Sequence, residues 1–137
     1  MQGWIIDAHS GGKKIAESLK EETRQRIVAH AEKHYAGRYT RLDIRFKSSL
    51  CYIDAYTEPD TRGNPWKVTK ETREQFLERL RSTPTHLCRL RHFGPDRWSI
   101  AFFTYSHERY EPTFFQSGEA FGTPEEGLDV GAVYLTA

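Results

Sequence analysis

The sequence predicts a single-domain α+β fold, an antiparallel sheet of about five strands in the order helix-strand-strand-helix-strand-strand-strand-helix. Three observations lead there. At 137 residues the chain has a common domain length and is too short for two typical domains. Its apolar residues switch repeatedly between a helical period and strict alternation. The connections are short enough for antiparallel neighbours, and the strand-helix-strand rhythm of a doubly wound sheet is missing.

Residues 1–12 carry weak signals and read as a flexible lead, with residues 13–137 as the domain; Ser10, before Gly11-Gly12, is placed to cap the helix that follows. From Lys13 to Tyr35, steps of about 100° per residue put Ala16, Leu19, Ile27, Ala31 and Tyr35 on one broad face, and the helix ends near Gly37. From Tyr39 the period becomes two. Leu42, Ile44 and Phe46 alternate with Arg41, Asp43, Arg45 and Lys47; after a turn at Ser48-Ser49, Cys51, Ile53 and Ala55 alternate with Tyr52, Asp54 and Tyr56. This pair is a hairpin. Glu58 to Lys67 is loop chemistry, with two prolines, Gly63, Asn64 and Asp60. A second helix starting at Val68-Thr69 carries Phe76, Leu77 and Leu80 and stops at Pro84. His86 to Phe93 and Trp98 to Tyr105 flank the turn Gly94-Pro95-Asp96 as a second hairpin, and Tyr110 to Phe115 supplies a fifth strand that Pro112 assigns to an edge. Thr123-Pro124-Glu125-Glu126 opens a short last helix, with a capping hydroxyl, proline at the first helical position and glutamate three residues after the cap.

Twenty Lys and Arg against nineteen Asp and Glu leave a formal charge of +1, so any basic surface is local and a dedicated, strongly basic nucleic-acid binder is excluded. No run approaches eighteen apolar residues, and Met1 to Lys14 lacks a signal-peptide pattern, so no membrane partner is expected. Cys51 and Cys88 lie inside strand-like runs and read as reduced, partly buried thiols, which points to a cytoplasmic location.

Arg38-Tyr39-Thr40-Arg41-Leu42-Asp43-Ile44 and Cys51 to Pro59 resemble a family of small bacterial proteins that carries no assigned function. Thr83 to Leu90, Trp98 to Tyr105 and Gly118 to Glu126 extend the likeness. It runs from Arg38 onward; it implies a free-standing bacterial cytoplasmic protein and brings no catalytic residues with it.

The polar side of the predicted sheet holds the candidate binding residues: Arg41, Arg45, Tyr52, Asp54 and Tyr56, joined by Arg89 and Arg91. Guanidinium, carboxylate and phenol groups in alternation suit recognition of an anion or a stacked base. The commoner role of such a face is cross-strand pairing. An enzymatic version would be a metal-independent ribonuclease drawing on Asp54, Glu58, His86, His92, Arg89 and Arg91. His30 and His34 have zinc-ligand spacing, but the pattern of a helical metalloprotease fails and His34 is expected to pack toward the core. His86 and Cys88, two apart on a strand, are expected to share a face near Cys51; three soft ligands make no motif, so no metal and no cofactor are called for. Gly11-Gly12-Lys13-Lys14 lacks the required positions of a phosphate-binding loop, and Ser106-His107-Glu108 is a contiguous turn, not a triad. Trp98, Phe102, Phe103, Tyr105, Tyr110, Phe114, Phe115 and Phe121 read chiefly as core, with rings on both sides of the sheet that motivate a homodimer. The leading expectation is a non-enzymatic binding or accessory protein that engages a protein or an anionic ligand through the Arg/Tyr/Asp sheet face or an edge strand. The alternatives are an RNA- or phosphate-ester-directed enzyme and a nucleic-acid binder without catalysis.

Overall fold

The computed structural model describes residues 7–62 and 70–135. Over them the chain runs α1 (Glu17–His34), β1 (Arg41–Lys47), β2 (Leu50–Tyr56), α2 (Arg73–Ser82), β3 (Thr85–Gly94), β4 (Arg97–Thr104), β5 (Arg109–Thr113) and α3 (Pro124–Gly131), closed by a 3₁₀ turn at Ala132–Tyr134. The five strands form one antiparallel sheet in sequence order, β1 to β5. The predicted α+β class and element order are thus present.

Alternation in β1 and β2 buries one face. Ile44 of β1 and Cys51, Ile53 and Ala55 of β2 join Leu90, Ile100 and Trp98 beneath Ile27 and Ala31 of α1 and Leu128 of α3 in one core. Two glycines let α3 approach this closely: a Cβ at Gly131 would lie 2.9 Å from the backbone of Leu87, and one at Gly127 would lie 2.4 Å from the Leu90 side chain. The opposite face of the sheet carries the polar set.

The first helix begins later than its periodicity suggests. Lys13 N–H donates to the His92 carbonyl at 2.7 Å and Ile15 N–H to that of Ser48 at 3.0 Å, so this stretch is extended along the sheet. Gly12, at φ +91°, permits the contact, since a Cβ there would meet the His92 oxygen at 2.6 Å. The helix therefore starts after Ala16 without a side-chain cap, and the Ser10 hydroxyl donates to Asp7 at 3.0 Å instead of capping it. Val68 and Thr69, expected to open the second helix, lie outside the described residues, as do Gly63, Asn64 and Lys67 of the preceding loop. The described helix α2 starts after Thr72, whose hydroxyl accepts from Gln75 N–H while the Gln75 side chain accepts from Thr72 N–H. The same reciprocal cap, Thr123 with Glu126, opens α3 behind Pro124, as its sequence predicts.

Strand β3 holds the one irregularity that matters for function. Cys88 lies opposite Ile53, but His86 lies opposite Asp54, so Leu87 is an extra residue on β3. This bulge keeps both Leu87 and Cys88 buried and moves His86 across the sheet. His86 and Cys88 consequently do not share a face, contrary to their spacing in a regular strand.

Candidate functional site

The register assembles the polar face strand by strand. Arg41 pairs with Tyr56, Asp43 with Asp54 and Arg45 with Tyr52 across β1 and β2. Tyr52 in turn pairs with Arg89, and Asp54 with His86, across β2 and β3. On the far side Phe103 of β4 pairs with Tyr110 of β5. The rings of Tyr52 and Tyr110 meet edge to face at 5.5 Å, and Phe103 lies 5.1 Å from Tyr110, so the aromatic groups span the sheet from β2 to β5.

Guanidinium groups cover these rings. Arg41 sits 4.0 Å from the centroid of Tyr56, Arg45 5.3 Å from Tyr52 and Arg89 5.4 Å from Tyr110. A guanidinium held over a ring by this attraction uses no N–H donor in it and keeps its donors for other partners. Arg41 and Arg89 make no ion pair among the described residues, whereas Arg45 bridges Asp43 at 3.3 Å and Asp54 at 2.8 Å. Arg91 lies at the rim, where its guanidinium donates to the Gly11 carbonyl at 3.1 Å. Burial, followed by repulsion from Arg89, lowers the Arg91 pKa.

At the centre stands one buried acid. The Asp54 side chain is 4% exposed, and both of its oxygens are engaged: Oδ2 by Arg45 and Oδ1 by His86 Nδ1 at 2.9 Å. The His86 ring packs on Phe103 at 4.7 Å and lies 6.3 Å from Tyr110, while its backbone N–H donates to the Tyr105 hydroxyl at 2.7 Å. Burial is the main cause of the raised pKa of Tyr110, with the negative charge of Asp54 next.

Every candidate on the predicted polar face therefore lies where strand parity puts it, and the structure adds His86, Phe103 and Tyr110. It separates the other ribonuclease candidates. Glu58 pairs with Arg81 at 2.8 Å, past the end of β2. His92 is buried on the core side against Trp98, its Nδ1 3.2 Å from the Lys13 carbonyl. The expectation for the helical histidines also needs correcting: His34 is exposed, and it is His30 whose Nε2 contacts Asp129, at 2.8 Å, beside the Tyr35 hydroxyl. Among the described residues no group of three His, Cys, Asp or Glu side chains is placed to hold a metal ion. Cys51 and Cys88 are both buried free thiols. Of the aromatic series, Trp98 and Phe115 belong to the core. The cue for the rearrangement is the doublet Leu87-Cys88, which interrupts the alternation of Arg89, Leu90 and Arg91.

No protein-family model, curated protein or solved structure matches the chain. No described helix is long and apolar enough to cross a membrane.

A separate cavity of about 260 Å³ lies between α1 and the β3–β4 turn, lined by Leu19, Glu22, Arg26, His92, Asp96 and Trp98 among others. Its cation is already neutralised, because Arg26 pairs with Glu125 at 2.8 Å and Asp96 at 2.7 Å.

Proposed function

We propose that the polar sheet face binds single-stranded nucleic acid. The observation that carries this reading is the pair Arg41 and Arg89, each held over a tyrosine ring with no carboxylate partner among the described residues. Guanidinium edges suit phosphate oxygens, and unpaired bases can stack on the half-buried Phe103 ring or on the guanidinium groups that cover Tyr52 and Tyr110. Strand register gives this face five cations, Arg41, Arg45, Lys47, Arg89 and Arg91, to two carboxylates, Asp43 and Asp54. The balance is locally positive although the chain as a whole is close to neutral.

The sheet edges are poorer docking sites for a protein strand. Pro112 breaks the donor pattern of β5, which is only five residues long, and β1 presents Arg41, Asp43, Arg45 and Lys47.

Fluorescence anisotropy with labelled single-stranded RNA and DNA tests the proposal. If Arg41, Arg89 and Arg91 contact phosphates, log K falls against log salt with a slope of about −2.1. Replacing Arg41 and Arg89 together by alanine makes that slope shallower by about 1.4 and leaves the circular dichroism spectrum unchanged. Binding that ignores salt, or a double variant that binds like wild type, refutes it.

A further inference from the structure

Resting on that reading, we infer that Asp54 and His86 form a general-base dyad that cleaves the RNA bound on this face. The geometry fixes the tautomer. A carboxylate only accepts hydrogen bonds, so the nitrogen 2.9 Å from Asp54 Oδ1 carries the proton, and a neutral His86 presents its lone pair at Nε2. That nitrogen has no hydrogen-bond partner among the described residues, and the His86 side chain is 34% exposed.

Asp54 is built to hold this arrangement and not to react. It is buried, Arg45 occupies its second oxygen at 2.8 Å, and Phe103 packs against the imidazole, tilted to it, at 4.7 Å. Asp54 is accordingly a positioning residue and His86 the catalytic one. Arg89, which has no carboxylate partner among the described residues, stands on the same face to offset charge on a phosphate.

One properly placed base is sufficient when the substrate carries its own nucleophile, as RNA does in the 2′-hydroxyl. In the step, His86 Nε2 takes the 2′-hydroxyl proton while the 2′ oxygen forms a bond to phosphorus. The bond from phosphorus to the 5′ oxygen breaks, and that oxygen takes a proton from water. The products are a 2′,3′-cyclic phosphate and a 5′-hydroxyl, with no change of oxidation state; His86 then releases its proton to solvent.

The test uses two RNA strands of one sequence, one unmodified and one fully 2′-O-methylated. Wild type is expected to bind the methylated strand and to cut only the unmodified one, leaving cyclic phosphate ends by mass spectrometry. His86→Asn keeps an N–H for Asp54 but has no base; it should bind the methylated strand within roughly twofold of wild type and cleave about a hundredfold more slowly or less. Added imidazole should restore part of the rate to His86→Ala. In Asp54→Asn one acceptor oxygen faces two donors. If it serves Arg45, the amide N–H₂ turns toward His86 and drives the imidazole proton to Nε2, which ¹⁵N chemical shifts report, with loss of cleavage. Binding of the methylated strand without cleavage of the other by wild type overturns the dyad and spares the binding role. Undiminished cleavage by His86→Asn also overturns it. Failure to bind either strand overturns both.

Discussion

Single side chains on the two faces of β2 behave in opposite ways. Asp54 is charged and buried, and its two donors, Arg45 and His86, compensate its removal from water. Truncation to alanine leaves those donors without their acceptor, and Asp54→Ala should lower stability by about 1–3 kcal/mol in urea unfolding. A change near zero would mean that solvent replaces the carboxylate freely. Three positions away, Cys51 faces the core, where burial pushes its thiol pKa up to about 12; burial raises that of Cys88 well above the ordinary value as well. Native protein at mildly alkaline pH should therefore react with a disulfide reagent only as it unfolds. Rapid labelling of folded protein would contradict the burial of both thiols.

Helix α3 shows what an element needs beyond its own signals. Its cap is written locally, in Thr123 and Glu126, but its distance from the sheet is set by Gly127 and Gly131. Alanine at position 131 improves helix propensity by about 1 kcal/mol, yet its Cβ would press on Leu87 backbone, which has no rotamer to give. Gly131→Ala should thus lower stability by a net amount on the order of 1–2 kcal/mol, seen as a lower melting temperature. A rise would show that α3 can slide outward without loss. For β3 the comparable local feature is the Leu87 bulge: an extra residue in the strand is what brings His86 to Asp54.

At the scale of the whole molecule, the two faces of one sheet divide the labour. The apolar face carries stability and the opposite face presents the guanidinium and phenol groups. The pH dependence of folding reflects the first of these. Cys51, Cys88 and Tyr35 all hold their protons to higher pH in the folded chain; burial is the leading cause in each, and the Tyr35 pKa is pushed up to about 12. The unfolded thiols ionise from roughly pH 8.5, so above that the unfolded state binds fewer protons and stability falls as pH rises toward about 12. Each thiol contributes a slope of about 1.4 kcal/mol per pH unit at full effect. Denaturant midpoints measured from neutral pH upward should decline across this window; a flat profile would contradict the burial of the thiols.

The sequence by itself determined the element order, the apolar side of each early strand and the cap of the last helix. These depend on contacts a few residues apart, and their periods and hydroxyl-to-glutamate spacings are visible in any short window. It also put Arg41, Arg45, Tyr52, Asp54 and Tyr56 on one side, because β1 and β2 alternate without interruption. Tertiary structure decided the rest. The doublet Leu87-Cys88 interrupts the alternation of β3, but that Leu87 is the extra residue is decided only by the helix 44 residues later, which packs on it at Gly131. Nor can two carboxylates and two histidines be sorted by type alone: Glu58 went to Arg81 and His92 to the core, while register and bulge joined Asp54 to His86. Those pairings depend on residues distant in sequence, and only the closed sheet brings them within hydrogen-bond reach.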